Sequence, residues 1–267
     1  MTAVSDPSVL NGSPPVLLSR DGAVATLTLN QPRRKNAMTR AAWRALRDTL
    51  RDVAASDVRV LVVTGAGGDF CAGADLSGGA DERRPPMVDM TEVNEACLAL
   101  HRLPVPTIAR VDGVAVGAGM NLALACDFVV ASARARFSEI FVRRGLSVDF
   151  GGSWVLPRLV GLHRAKELVL LGDIIDAATA HEWGLVREVV EVDALDAAVA
   201  ALAGRLAAGP PIAMRQSKRM LTDSFEASLE RALEDEARSQ QINFATADTV
   251  EAGAAFLEKR DPVFRGH

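Results

Sequence analysis

The 267-residue chain has no tyrosine at all, and aromatic residues make up only 4% of it. Its core must therefore be filled with Ala, Val and Leu, and it offers few aromatic platforms on which nucleic-acid bases could stack. Cysteine is scarce too: Cys71, Cys97 and Cys126 are odd in number, far apart and never in a CxxC pair. That argues against a disulfide framework and for a reducing compartment. Strong charge is missing: the net charge is −4 with the signs mixed, so no electrostatic footprint for nucleic acid exists. The four histidines, His101, His163, His181 and His267, show no HExxH or similar ligand spacing, and no metal is expected. No GKS or GKT phosphate loop occurs, no GxGxxG opens a helix, and no Ser–His–Asp set can be assembled from spacing. No apolar run is long and clean enough to span a bilayer. Residues 1–15 lack the basic start and apolar stretch of a signal peptide. The expectation is a cytoplasmic protein without nucleic-acid or membrane partners.

What is present is apolar bulk, 49% of the residues, in a chain long enough for one large domain or a domain with an appendage. Residues 1–15 read as a flexible tail. Val24–Leu29 alternates as a strand. Thr39 is placed to cap a helix over "RAAWRALRDTLRDVAAS", whose apolar residues recur at helical spacing. "VRVLVVTG" (58–65) is a β-branched run of the kind buried in parallel sheets. A glycine-rich loop (65–86), a helix (about 88–103), a strand (107–113), a buried helix (117–126) and a strand (127–132) follow. Beyond Gly152 the pattern turns helical, with pieces at 163–171, 177–183, 193–207, 215–222 and 225–244. Asp248 and Glu251 resemble a capping box that opens a last helix ending near Leu257. Strands alternating with helices in the first half predict an α/β fold of stacked βαβ units, and the helical second half reads as a cap or an oligomer-forming extension.

Two stretches could carry chemistry. "DFCAGADL" (69–76) follows a strand, and its small residues let a ligand approach the backbone. "GVAVGAGMNLALACD" (113–127) opens a buried helix, where the first amides have no helical partner and lie at the positive end of the dipole. One N–H from each could form an oxyanion hole for a carbonyl oxygen.

Together with "NQPRRKNAM" (30–38), "GLSVDFGGSWVLPRLVG" (145–161), "AHEWGLVREVV" (180–190) and "FLEKRDPVF" (256–264), these stretches resemble, in order and spacing, the crotonase superfamily of enoyl-CoA hydratases and isomerases. The resemblance covers roughly residues 16–264. It implies an α/β, crotonase-type spiral of repeated ββα units over residues 16–205 with a helical C-terminal trimerisation region over 206–267, often forming a dimer of trimers. It implies an acyl-CoA thioester as ligand and no cofactor beyond the CoA that the substrate brings. By position, the oxyanion-hole amides belong to Ala74 and Ala118, with Ala72, Gly73, Asp75, Leu76 and Phe141 around the substrate. Arg33 is placed near the CoA phosphates, and Phe256 and Lys259 near the nucleotide, from the same or a neighbouring subunit.

The match fails where hydration would need it. Hydratases of this family carry two glutamates that hold and activate water, and their positions here are Asn121 and Phe141. Asn121 can hydrogen-bond water but cannot take its proton near neutral pH, and Phe141 can do neither. Asp149 instead stands where some double-bond isomerases of the family place a working aspartate. Apolar neighbours Val148, Phe141 and Phe150 would make it a better base. Two other roles remain open: Asp149 capping a helix over "DFGGSW", and Glu139 entering the site if strand alternation puts it on the same face as Phe141. Asp75 is expected to fix loop amides, Asp127 to be a structural partner and Cys71 to be packing. The favoured reading is an acyl-CoA isomerase. The alternatives are a weak hydratase using Asn121 and Glu139, and a non-catalytic acyl-CoA-binding protein.

Overall fold

The computed structural model describes residues 13–78 and 85–267, leaving most of the expected 1–15 tail and part of the glycine-rich loop outside the described residues. The chain runs through β1 (Val16–Asp21), β2 (Val24–Leu29), α1 (Arg40–Ala54), β3 (Val60–Gly65), α2 (Pro86–His101), β4 (Thr107–Val111), β5 (Val114–Val116) and α3 (Ala118–Leu124). It continues through β6 (Phe128–Ser132), β7 (Arg136–Ser138), α4 (Gly152–Leu171), β8 (Ile175–Asp176), α5 (Ala177–Glu182), β9 (Glu188–Val190) and α6 (Leu195–Ala207). Three helices close it: α7 (Pro211–Asp223), α8 (Leu229–Phe244) and α9 (Ala247–Glu258).

A six-stranded sheet has the order β1-β2-β3-β4-β6-β9, and a three-stranded sheet the order β5-β7-β8. From β2 to β9 the large sheet is parallel, and only β1 runs antiparallel, with Val16 opposite Leu29. β3 shows why a β-branched run suits this place: Leu61 and Val63 face the main core, while Val60 and Val62 join a second cluster with Leu195, Val199 and Leu202 of α6. The residue 205 boundary thus falls inside a helix that packs on the sheet.

Local signals explain most elements. The Thr39 side chain accepts from Ala42 N, and α1 buries Trp43, Leu46, Leu50 and Val53 along one stripe. Two expectations need correction. The last helix is capped by Thr246, not by an Asp248–Glu251 box. Asp248 is buried and accepts the amides of Arg265 and Gly266, while Glu251 pairs with Arg260, so both acids hold the C-terminal strap. And α4 begins at Gly152 rather than His163; Gly161, at φ 74° and ψ 164°, breaks it in two, so only its second half is regular enough to read. Asp127 is structural as expected, accepting from the Thr107 main-chain N–H and hydroxyl and from Lys218 Nζ of α7. Among the described residues, no single helix is long and apolar enough to cross a membrane.

Candidate active site

The 71–75 loop is clamped on two sides. Cys71 N donates to Val114 O and Val116 N donates to Cys71 O, stitching it to β5. On the other side Ala72 N donates to Lys35 O, Met38 N to Gly73 O and Asp75 N to Met38 O. The last two bonds define a parallel bridge between Met38 and Ala74, in which Met38 uses both its own polar groups. The amide of Ala74 is therefore turned away from that partner, and among the described residues it has no hydrogen bond. Gly73 is needed here: it sits at φ 88°, and a Cβ on it would lie 2.8 Å from Val116 O and 3.5 Å from Ala118 N. That second distance brings the Ala74 loop against the start of α3, where the Ala118 amide is likewise without a partner among the described residues.

Asn36 supports this arrangement from below. Its fully buried amide donates to Ala66 O and Asp69 O and accepts from Gln31 N. Cys71 is packing, as expected: it is fully buried, its thiol bonds Asn36 O, and burial pushes its pKa up to about 12. Asp75 ties Ser77 N and Arg34 rather than reaching inward, so it stiffens the loop.

One helical turn into α3, about 5 Å along the axis, Asn121 is buried and meets two acids. Its Nδ2 donates to Glu139 Oε2 at 3.2 Å and to the main-chain oxygen of Asp149 at 2.9 Å. Asp149 does not cap a helix. The N-cap of α4 is Gly151, with no side-chain cap bond, and only the Asp149 carbonyl engages the helix start, through Gly152 N. The Asp149 carboxyl is left largely buried with Oδ1 unpartnered, and desolvation raises its pKa to about 6. Beside it lie Val148 and the partly buried thiol of Cys97 from α2, whose pKa is pushed up to about 11 by burial and by the Asp149 charge.

The strand alternation expected for Glu139 is not what places it. β7 ends at Ser138, and Glu139 precedes a 3-10 turn over Ile140–Arg144, so period-two alternation does not apply. The turn instead buries Glu139 completely against Asn121, and desolvation raises its pKa to about 8. Phe141 is buried near Gly117 at the start of α3. Two features escape a reading by motif. Phe150 is held at φ 48°, an uncommon conformation for a bulky residue, and is buried with its ring 5.2 Å from Trp43. Cys97 gives no sequence signal, since it falls at an ordinary helical position.

The comparisons with known proteins converge on one family. Residues 19–267 match the enoyl-CoA hydratase/isomerase family along nearly the whole chain. The chain belongs to the enoyl-CoA hydratase/isomerase family. It is 37% identical to the 1,2-epoxyphenylacetyl-CoA isomerase of Escherichia coli K12, covering 94% of this chain and 98% of that one. It is 36% identical to the 2,3-dehydroadipyl-CoA hydratase of the same strain, over 94% and 98%. Among solved structures, the enoyl-CoA hydratase of Bacillus anthracis matches with a TM-score of 0.90 at 32% identity, covering 95% of this chain and 100% of that one. The crotonase-type fold is thereby established for this family member, while its relatives include both hydratases and an isomerase.

The other expected ligand contacts lie at the rim of this family site or away from it. Arg33 is exposed in a 3-10 turn, and it is its neighbour Arg34 that binds Asp75 and Ser77 of the 72–77 loop. Leu76 is 60% exposed on that loop. Phe256 is 82% exposed at the end of α9, and Lys259 caps that helix in the left-handed region at φ 56°; the hydrogen bonds around them stay within the C-terminal segment. Trp154 lies edge-on to His101 under the Arg158 guanidinium, a stack tying α4 to α2. A groove of about 520 Å³ between α7 and α8 shares no lining residue with the site.

Proposed function

We propose that this family member moves a carbon–carbon double bond in an acyl-CoA thioester. The amides of Ala74 and Ala118 hold the thioester oxygen and stabilise the enolate. Asp149 takes a proton from one carbon, the electron pair spreads through the conjugated system onto that oxygen, and the proton returns to another carbon. The product is an isomer of the substrate, so no water or second acid is consumed. The observation that carries the reading is the state of Asp149: a buried carboxyl, unpartnered at Oδ1 and not spent on a helix, with a pKa lifted toward neutrality. A general base works best with a pKa near the operating pH. Arg33 is assigned to the CoA phosphates, and Phe256 and Lys259 to the nucleotide of a neighbouring subunit in a trimer or dimer of trimers. No cofactor is assigned.

Hydration is the second reading, favoured by the Asn121–Glu139 hydrogen bond, which could hold a water. Incubation with 2-enoyl-, 3-enoyl- and dienoyl-CoA, followed by ultraviolet absorbance and mass, separates the readings. Double-bond migration at constant mass is expected. A gain of one water would support hydration, and tight binding with neither change would make the protein a carrier. Asp149→Asn should lower isomerase kcat by about 10²-fold or more; undiminished turnover would remove Asp149 from the mechanism.

A further inference from the structure

The buried cluster beside α3 contains more oxygen than a single proton carrier needs. The Asp149 main-chain oxygen can only accept, so the Asn121 amide is oriented with its nitrogen toward Asp149 and Glu139. Among the described residues, that leaves Asn121 Oδ1, Glu139 Oε1 and Asp149 Oδ1 all buried and all without a partner. Three unpartnered buried acceptors, two of them on carboxyls, are an unbalanced set. A proton on one carboxyl corrects both faults: it adds a donor and leaves one negative charge where two would repel. Glu139 is the carboxyl to hold it, because it is fully buried whereas Asp149 is only partly so.

Among the described residues, no charged partner compensates either acid. Among the described residues neither acid has an ion pair. The titratable groups facing Glu139 are Asp149, from the loop before α4, and beyond it the Cys97 thiol of α2. On its own turn Arg143 and Arg144 are exposed, and Arg143 pairs outward with Asp173. α3 contributes Asn121, and the end of α4 contributes main chain, with Gly172 close to the Glu139 carbonyl.

We propose that Glu139 is a positioning residue that works as a neutral carboxylic acid, holding Asn121, and through it the main chain of Asp149, while keeping the pocket at one negative charge as the substrate enolate forms. The proposal rests on the reading of Asp149 as the proton carrier. When Glu139 ionises, a second negative charge sits beside the developing enolate and opposes it. Desolvation and the Asp149 charge put that ionisation near pH 8, and Asp149 itself ionises near 6. Activity therefore rises through the lower value and falls through the upper one.

The test is kcat/KM against pH for wild type, Glu139→Gln and Asp149→Asn with the enoyl-CoA that wild type isomerises. In wild type a fall of about tenfold per pH unit is expected above about pH 8. Glu139→Gln should keep the acid limb, lose the alkaline fall, and drop about two- to fivefold at about pH 7 because an amide brings two hydrogens where the acid brought one. An unchanged alkaline limb in Glu139→Gln, or none in wild type, overturns the proposal. So does a loss in Glu139→Gln as deep as in Asp149→Asn, which would make Glu139 a reacting group. Full activity in Asp149→Asn sinks the underlying reading itself, whatever Glu139→Gln does. If Glu139→Gln does not fold, difference infrared spectroscopy of wild type decides: a protonated-carboxyl band that disappears above about pH 8 is expected, and its absence at neutral pH overturns the proposal.

Discussion

Two acids in this pocket weaken the fold they sit in. Glu139 moves from an ordinary 4.5 to about 8 and Asp149 from 3.8 to about 6, both through burial. Both folded-state values are raised, so the neutral forms are the ones the fold tolerates. Stability is complete below the unfolded values and declines as pH rises through the folded ones, at up to about 1.4 kcal/mol per unit of separation. The window runs from about pH 4 to about pH 8. Partnered acids such as Asp112, held low by Arg134 and Ser132, act with the opposite sign but only at more acid pH, where their protonation removes a favourable pairing. Urea unfolding at about pH 5 and about pH 9 should therefore show wild type losing several kcal/mol, while Glu139→Gln loses much less and becomes the more stable protein at the alkaline end. Equal losses in both proteins would mean that Glu139 is solvated or paired in solution. A buried acid kept at such a cost is the usual mark of a functional site.

At the scale of elements, the turn between the 3-10 segment and α4 sets the position of Asp149. Phe150 holds it through a positive φ and a ring packed on Trp43, and Gly152 lets α4 lie flat against Asn121. A Cβ at residue 152 would fall 2.4 Å from Asn121 Nδ2 and 2.5 Å from Val148 Cγ2. Gly152→Ala should therefore cost about 1–3 kcal/mol from overpacking and displace the amide that holds both acids. Its kcat should fall by more than tenfold while far-ultraviolet dichroism stays native; full activity would show that the Asn121 position is not critical. α1 was legible because its buried stripe and its Thr39 cap agree, β3 because a β-branched run is buried on both faces, and α3 because a run of small and apolar residues follows a glycine turn. β5, β7 and β8 were not, because two or three residues carry no measurable period. The same limit applies to the site. Asp149 stands out from its apolar neighbours, but the burial of Glu139 depends on a strand ending one residue before it, and Cys97 and Trp43 reach the pocket only through tertiary packing.

At the scale of the whole molecule, the C-terminal helices are incompletely covered. Leu221 (72%), Leu229 (71%), Phe244 (72%) and Phe256 (82%) are all exposed, and Ser239 Oγ and Asn243 Oδ1 are buried without partners beside the α7–α8 groove. So many large apolar side chains on one region exceed what a monomer ordinarily shows, and self-association would cover them. The proposed nucleotide contacts Phe256 and Lys259 lie in this same C-terminal region, where a neighbouring copy could share them. The two ideas can be tested together. Leu229→Lys combined with Phe244→Lys should place charge in the interface and yield a smaller species in analytical ultracentrifugation. If a neighbour completes the nucleotide end of the site, KM for the CoA thioester should rise about tenfold or more in that species, while kcat, which the proposed mechanism assigns to Asp149 and two amides of one chain, should change much less. A dissociated protein with unchanged KM would place the whole CoA site within one subunit. A wild type that sediments as a monomer would leave those apolar helices needing some cover other than copies of this chain.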